Sequence, residues 1–301
     1  MNNQNDSIRN YKLDLIALIL LIVLLTPSIV NAQDDLKKGI KIFEKKNYYG
    51  AKKYFNDYLE KNPEKAQAHY YLGRIAMEER ELKQALVYFD KAIKIDNNNS
   101  EYFTWKGIAN IELLSTVNFM EQGVYAMEAL QALETAVHLD PENIDARMWL
   151  AGYYSEAPDF AGGSKEKTRE QYEAIIKINP AFVPAYINYS NKLIKFEEFD
   201  LALEILERSL KYDPDNYSAY FYIGKMSAES GKYSSKGEEA LKKFIESAPE
   251  EFQDSKDEAW WYLGRIYTQY GDSENARKAY EKAIALDPSK EDYQKSLKKL
   301  M

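Results

Sequence analysis

Residues 260–283 read WWYLGRIYTQYGDSENARKAYEKA, and residues 69–92 read HYYLGRIAMEERELKQALVYFDKA. Both place a glycine (Gly264, Gly73), an alanine twelve residues later (Ala276, Ala85) and an aromatic four after that (Tyr280, Phe89). Residues 35–58, DLKKGIKIFEKKNYYGAKKYFNDY, repeat the pattern with Gly39, Ala51 and Phe55. Pro63 and Pro288 then follow their glycines at the same offset. The small residues sit where two helices of a hairpin must approach closely, and the ring fills the space between one unit and the next. Asp-Pro pairs at Asp140-Pro141, Asp213-Pro214 and Asp287-Pro288 end helices, because proline disfavours helix in the residue before it. Self-similarity at a fixed period marks a repeat architecture.

Trp260, Leu263, Gly264, Tyr267, Ala276, Tyr280, Ala283 and Pro288 resemble the tetratricopeptide repeat, a helix hairpin of about 34 residues. The resemblance implies an all-α, right-handed solenoid of helix hairpins, with the first helix of each hairpin lining a concave groove. Glycines and prolines divide the chain into seven units, at 32–65, 66–99, 100–143, 144–182, 183–216, 217–256 and 257–290. Unit five carries Ser190 in place of the glycine. Unit three is stretched near Ser115 to Phe119, unit four around Ala157 to Gly163, and unit six between its arms at Ser234 to Gly237. The lysine-rich tail, residues 290–301, reads as the capping helix that closes the open end of a stack.

Residues 1–32 read as an address. Arg9 and Lys12 precede the apolar run LIALILLIVLL at 15–25, and Val30-Asn31-Ala32 offers a small-residue exit. This pattern predicts a secretory signal peptide cleaved after Ala32. The alternative is an uncleaved membrane anchor, although the run falls short of the roughly 20 residues that span a bilayer. Either way the remainder is exported, to the periplasm or beyond. No cysteine exists to carry a lipid, a disulfide, a thiolate nucleophile or a cysteine-bound metal. Asp6, Asp14, Arg9 and Lys12 cancel, so the remainder keeps the whole net charge of −8. That acidic balance argues against a nucleic acid held through its phosphates. A hydrophobic share of 45% is too high for disorder.

No catalytic constellation emerges, and no cofactor or metal is expected. His69 and His138, the only histidines, fall in different units, and a base needs a nucleophile and an orienting group beside it. Adjacent carboxylates such as Glu78-Glu79 and Glu238-Glu239 point apart on a helix. Gly162-Gly163 could present amides to an anion, but turn chemistry favours a turn, with Ser164 capping the helix that follows.

Interaction is the better expectation. Five residues into successive units, six in unit four, stand Tyr70, Thr104, Trp149, Ile187, Phe221 and Trp261. Four residues further, on the same helix face, stand Arg74, Ile108, Tyr153, Asn191, Lys225 and Arg265. The resemblance places both rows in the groove, so Tyr70, Arg74, Trp149, Tyr153, Asn191, Phe221, Lys225, Trp261 and Arg265 are the candidate binding residues. The alternative for each ring is packing between repeats. The carboxylate-clamp design does not fit: Lys106 and Asn110 are four apart, but the next units lack the matching Asn and Lys/Arg. The leading expectation is a scaffold binding a peptide or helix of an envelope protein. Its alternative is a receptor for a small anionic ligand, closed over by the inserts of units three and four.

Overall fold

The computed structural model describes residues 36–300, and every regular element among them is helical. Residues 1–32, the expected signal segment, lie outside the described residues. The helices are α1 (36–44), α2 (Tyr48–Lys61), α3 (Ala66–Glu78), α4 (Leu82–Ile95), α5 (Ser100–Leu113), α6 (Phe119–Leu139) and α7 (Ile144–Glu156). Then come α8 (Lys165–Ile178), α9 (Val183–Lys195), α10 (Phe199–Tyr212), α11 (Tyr217–Ser230), α12 (Ser234–Ser247), α13 (Lys256–Tyr270), α14 (Ser273–Leu286) and α15 (Glu291–Lys298). Short 3₁₀ turns at Asp159–Ala161 and Glu250–Ser255 lie between them. The chain is an all-α array of helix hairpins. It forms two compact bodies, one ending at Ala146 and one beginning at Arg147.

In the first body, α4 shows how the sequence makes a packed helix. Leu82, Ala85, Leu86, Phe89 and Ala92 recur at helical spacing and are buried. Such a stripe faces the core while the polar remainder stays wet. Phe89 lies against Gly73 of α3, inside the hairpin. Tyrosines join one hairpin to the next. Tyr71 stacks on Phe55 at 5.3 Å, and Tyr70 packs on Tyr102 at 5.2 Å. A ring gives large apolar area at low entropic cost, and its hydroxyl can stay hydrogen-bonded. Much of the tyrosine excess serves this purpose.

The insert of unit three is helix rather than loop. Gly107 of α5 packs on Leu133 and the Ala129 carbonyl, so the hairpin contact is kept, displaced along α6. With 21 residues, α6 is longer than the 14-residue α4, and the extra turns sit at its N-terminus. Asn118 caps them. Its Oδ1 accepts from the amides of Met120 and Glu121, and its Nδ2 donates to the Glu121 carboxylate. Gln122 Nε2 donates to the Leu114 carbonyl, and Lys83 of α4 pairs with Glu121 at 3.5 Å.

In the second body the insert of unit four is a closed turn. The amides of Gly162, Gly163 and Ser164 donate to the carbonyls of Asp159, Pro158 and Tyr154. The amides that could have cradled an anion are therefore spent inside the loop. Gly162 has φ +92, a left-handed conformation that glycine adopts freely. At Gly163 a Cβ would lie 1.8 Å from the Ala157 carbonyl oxygen. Ser164 caps α8, its hydroxyl accepting from the Lys167 amide at 3.2 Å. Ser164→Ala is expected to cost about 1 kcal/mol in a urea titration, while Ser164→Asp keeps the cap; equal midpoints for all three proteins would discount it.

The second body ends on α15. The Tyr293 hydroxyl donates to the buried Asp257 carboxylate at 2.8 Å, and Trp261 Nε1 donates to Ser296 Oγ at 3.0 Å. Trp261 and Tyr293 also pack ring to ring at 5.6 Å. The terminal helix thus covers the flank of α13.

Candidate binding faces

Four of the candidates converge on α11 and α13. Phe221 and Lys225 stand one turn apart on α11, as do Trp261 and Arg265 on α13. Between them lies Tyr262, which the sequence period did not single out. Phe221 meets its ring edge-on at 6.0 Å. Lys225 Nζ and the Arg265 guanidinium lie 5.8 and 5.9 Å from its centroid. Arg265 is also 5.0 Å from the Trp261 ring. Neither Lys225 nor Arg265 forms an ion pair among the described residues. The Tyr262 hydroxyl donates to Glu258 and Glu229 at 3.0 and 3.2 Å. Burial first, and then those carboxylates, push its pKa upward.

The flank of this face opens into a cleft of about 440 Å³. Trp261, Arg265, Lys295, Ser296 and Lys299 line it, with Asp292 as the carboxylate. Lys295 is held to Glu291 and Asp292 at 3.0 and 3.5 Å. Trp261 is therefore not a bare groove anchor. Its indole N–H is committed to α15, and its ring supports Arg265.

A smaller cluster forms in the first body. Arg74 Nη1 donates to the Tyr70 hydroxyl at 2.8 Å, and its guanidinium lies 3.5 Å from the Trp105 centroid and 5.4 Å from that of Phe43. Trp105 too was not singled out. Contacts this close between a guanidinium and an aromatic face are attractive through the ring quadrupole.

The remaining candidates do not assemble into a surface. Tyr70 is buried and belongs to the core, meeting Arg74 through its hydroxyl and, 5.7 Å from the guanidinium, through its ring. Tyr153 is buried too, and its hydroxyl donates to the Ala161 carbonyl at 2.8 Å, holding the closed turn. Both corrections have one cause: the helical period places a ring on a face but does not say whether a neighbouring loop or hairpin covers it. Thr104 and Ile108 are likewise buried. Trp149 on α7 is 38% exposed, and Asn191 on α9 is half-buried. Lys106 pairs with Asp90 at 2.7 Å and Asn110 is fully buried, so neither is available as a clamp. His69 Nε2 contacts the Pro63 carbonyl at 3.0 Å, while His138 is exposed on α6.

Two tetratricopeptide-repeat family models match the chain, one over residues 257–290 and one over 43–100 and 191–252, together about half of it. The chain belongs to the tetratricopeptide-repeat family. A TPR repeat-containing protein of Methanocaldococcus jannaschii is 26% identical over 86% of this chain and 37% of its own length. The mitochondrial import receptor subunit TOM70 of Mus musculus is 25% identical over 72% of this chain and 33% of its own. The chain thus spans about a third of the length of these relatives. Among solved structures, the C-terminal part of a TPR repeat-containing protein from Cytophaga hutchinsonii matches at a TM-score of 0.67 and 18% identity. That match covers 87% of this chain and 99% of that one. A tetratricopeptide repeat protein from Parabacteroides merdae matches at 0.55 and 18%, covering 90% and 98%. At these identities the likeness shows the fold alone. Tetratricopeptide repeats point to protein partners. Among the described residues, no helix is long and apolar enough to cross a membrane.

Proposed function

We propose that the protein is an exported, non-enzymatic interaction scaffold that binds a peptide or helix of an envelope protein across α11 and α13. The observation that carries this reading is the Lys225–Tyr262–Arg265 face. Two cations lie over one aromatic ring, without carboxylate partners, in a chain of net charge −8. Elsewhere the cations are commonly spent on neighbouring hairpins, as in Lys52–Glu79, Arg80–Glu112 and Lys192–Glu156. Aromatic anchors beside arginine are what protein interfaces favour. A partner segment carrying carboxylates near an apolar side chain would satisfy both the charge and the rings. Export is supported by the pattern of residues 1–32. With no cysteine in the sequence, stability rests on hairpin stacking without a covalent staple.

A capture experiment from an envelope fraction tests this. The wild-type protein is expected to retain a partner that Lys225→Glu and Arg265→Glu both release, with the mature chain starting at Gln33. Retention by both variants would place the binding face elsewhere. The cation-lined cleft favours a second reading, a small anionic ligand. A several-degree thermal shift with a di- or tricarboxylate, lost in Arg265→Glu, would favour that reading over a peptide.

A further inference from the structure

The N-terminal half of α6 carries a run of exposed apolar side chains. Met120 is 88% exposed, Val124 53% and Met127 67%, and Phe119 beside them is open as well. The buried side of α6 runs through Tyr125, Ala129, Ala132 and Ala136, so Met127 lies two residues, about 200° of helix, from that seam. The exposed stripe continues through Gln131, Glu134 and His138. Its spacing alternates four and three residues, the period by which one helix meets another in a coiled coil. An extended strand would not be read at that period. Only the first half of the stripe is apolar, and it begins in the inserted turns and ends on Met127, just past them.

Gly123 adds an independent sign. A Cβ there would meet nothing within 4 Å, so packing inside the chain gives no reason for a glycine. In an exposed helix interior glycine is less favourable than alanine by about 1 kcal/mol. Beside Met120, Val124 and Met127 it leaves a shallow place where a second backbone can come close.

Charge selects among occupants. α6 carries Glu121, Glu128 and Glu134 and neither lysine nor arginine. Glu121 and Glu128 flank the apolar turns along one edge, and with Lys83 of α4 at 3.5 Å from Glu121 that edge still keeps a net negative charge. A second copy of the chain laid on the stripe would bring like charges together, which disfavours self-association. An anionic bilayer meets the same repulsion. We propose that the N-terminal turns of α6 dock an amphipathic helix of a partner protein, with an apolar stripe in the 4–3 spacing and lysine or arginine along its edge. The methionines suit this, because unbranched side chains repack around partners of different shape. This surface is separate from the α11–α13 face, and neither proposal depends on the other.

The test uses the purified protein and two designed helical peptides. Both have leucines in the 4–3 spacing; one has lysines on the edges and its twin has glutamates. By fluorescence anisotropy the lysine peptide is expected to bind, more tightly than its twin and more weakly as salt rises. Met120→Glu and Met127→Glu, at exposed positions where helicity by circular dichroism is kept, are each expected to weaken it roughly tenfold or more. Arg265→Glu is expected to leave it unchanged. No binding of the lysine peptide, equal binding of the twins, or indifference to both methionine variants overturns the proposal. So does a concentration-dependent dimer in sedimentation that the same variants abolish, since the occupant would then be a second copy.

Discussion

Phe89→Ala is expected to lower the unfolding free energy by about 3–5 kcal/mol, the usual range for deleting a buried aromatic ring. Phe89 is fully buried, with Ala85 and Ala92 on the same stripe of α4. Its ring occupies the space left by Gly73 and lies 6.2 Å from Tyr70, which in turn packs on Tyr102 of the next hairpin. Truncation leaves a cavity that the rigid hairpin cannot close, and the transfer cost adds to the cavity cost. In an array whose stability comes from each unit and its neighbours, a loss at one unit weakens the contacts on both sides. The reciprocal change should hurt as well. An alanine at position 73 would place Cβ 2.5 Å from the Phe89 ring, so the ring must move or the helices separate. Gly123→Ala on α6, where the added methyl meets nothing, is the control and is expected to be neutral or mildly stabilising. Urea titration followed by helicity reads all three. A Phe89→Ala midpoint equal to that of wild type would mean that the glycine–aromatic lock does not hold the hairpin together.

That lock is why the hairpins were legible from sequence. Gly73 and Phe89 are sixteen residues apart in one hairpin, and the same pair recurs as Gly39–Phe55 and Gly264–Tyr280. A contact that is local in sequence and repeated in kind leaves a periodic trace. The extension of α6 leaves none, because apolar residues at 119, 120, 124 and 127 read equally as buried helix or as exposed surface. Its start was nevertheless written in Asn118 followed by Glu121, a capping pair three residues apart. The candidate faces were legible in part. The four-residue spacing put Phe221 and Lys225 one turn apart on α11, and Trp261 and Arg265 one turn apart on α13. It did not reveal that both cations lean over Tyr262, because that depends on how α11 and α13 pack. Nor could it show α15 covering Trp261, a contact between residues 35 apart that belongs to no repeat.

The tyrosines set the second large effect, an alkaline unfolding transition. Burial pushes Tyr102 and Tyr189 up to about 12 from the ordinary 10.0. Burial also raises Tyr70, Tyr172, Tyr262 and Tyr293, the last two with help from Glu258 and Asp257 respectively. A group whose pKa is higher in the folded chain favours folding while both states are protonated. That advantage is complete below pH 10 and is lost as pH climbs toward 12, where the unfolded chain ionises and the folded chain resists. Each such phenol then costs the folded state up to about 1.4 kcal/mol per pH unit. Several together are comparable with the roughly 5–15 kcal/mol that holds a typical domain. Lys52 and Lys242, raised chiefly by their hydrogen bonds to Glu79 and Glu238, lose stabilisation in the same direction. Far-ultraviolet dichroism and tyrosinate absorbance, followed together against pH, are expected to change in one cooperative step between about pH 10 and 12. Helicity that persists beyond pH 12 while the absorbance titrates gradually would sink the account. Tyr293→Phe separates the two roles of one ring. It removes one ionising phenol from the alkaline step but deprives the buried Asp257 carboxylate of its donor. At neutral pH it should therefore cost about 1–3 kcal/mol, with the loss felt first where α15 meets α13, and at alkaline pH its transition should be less steep than that of the wild type.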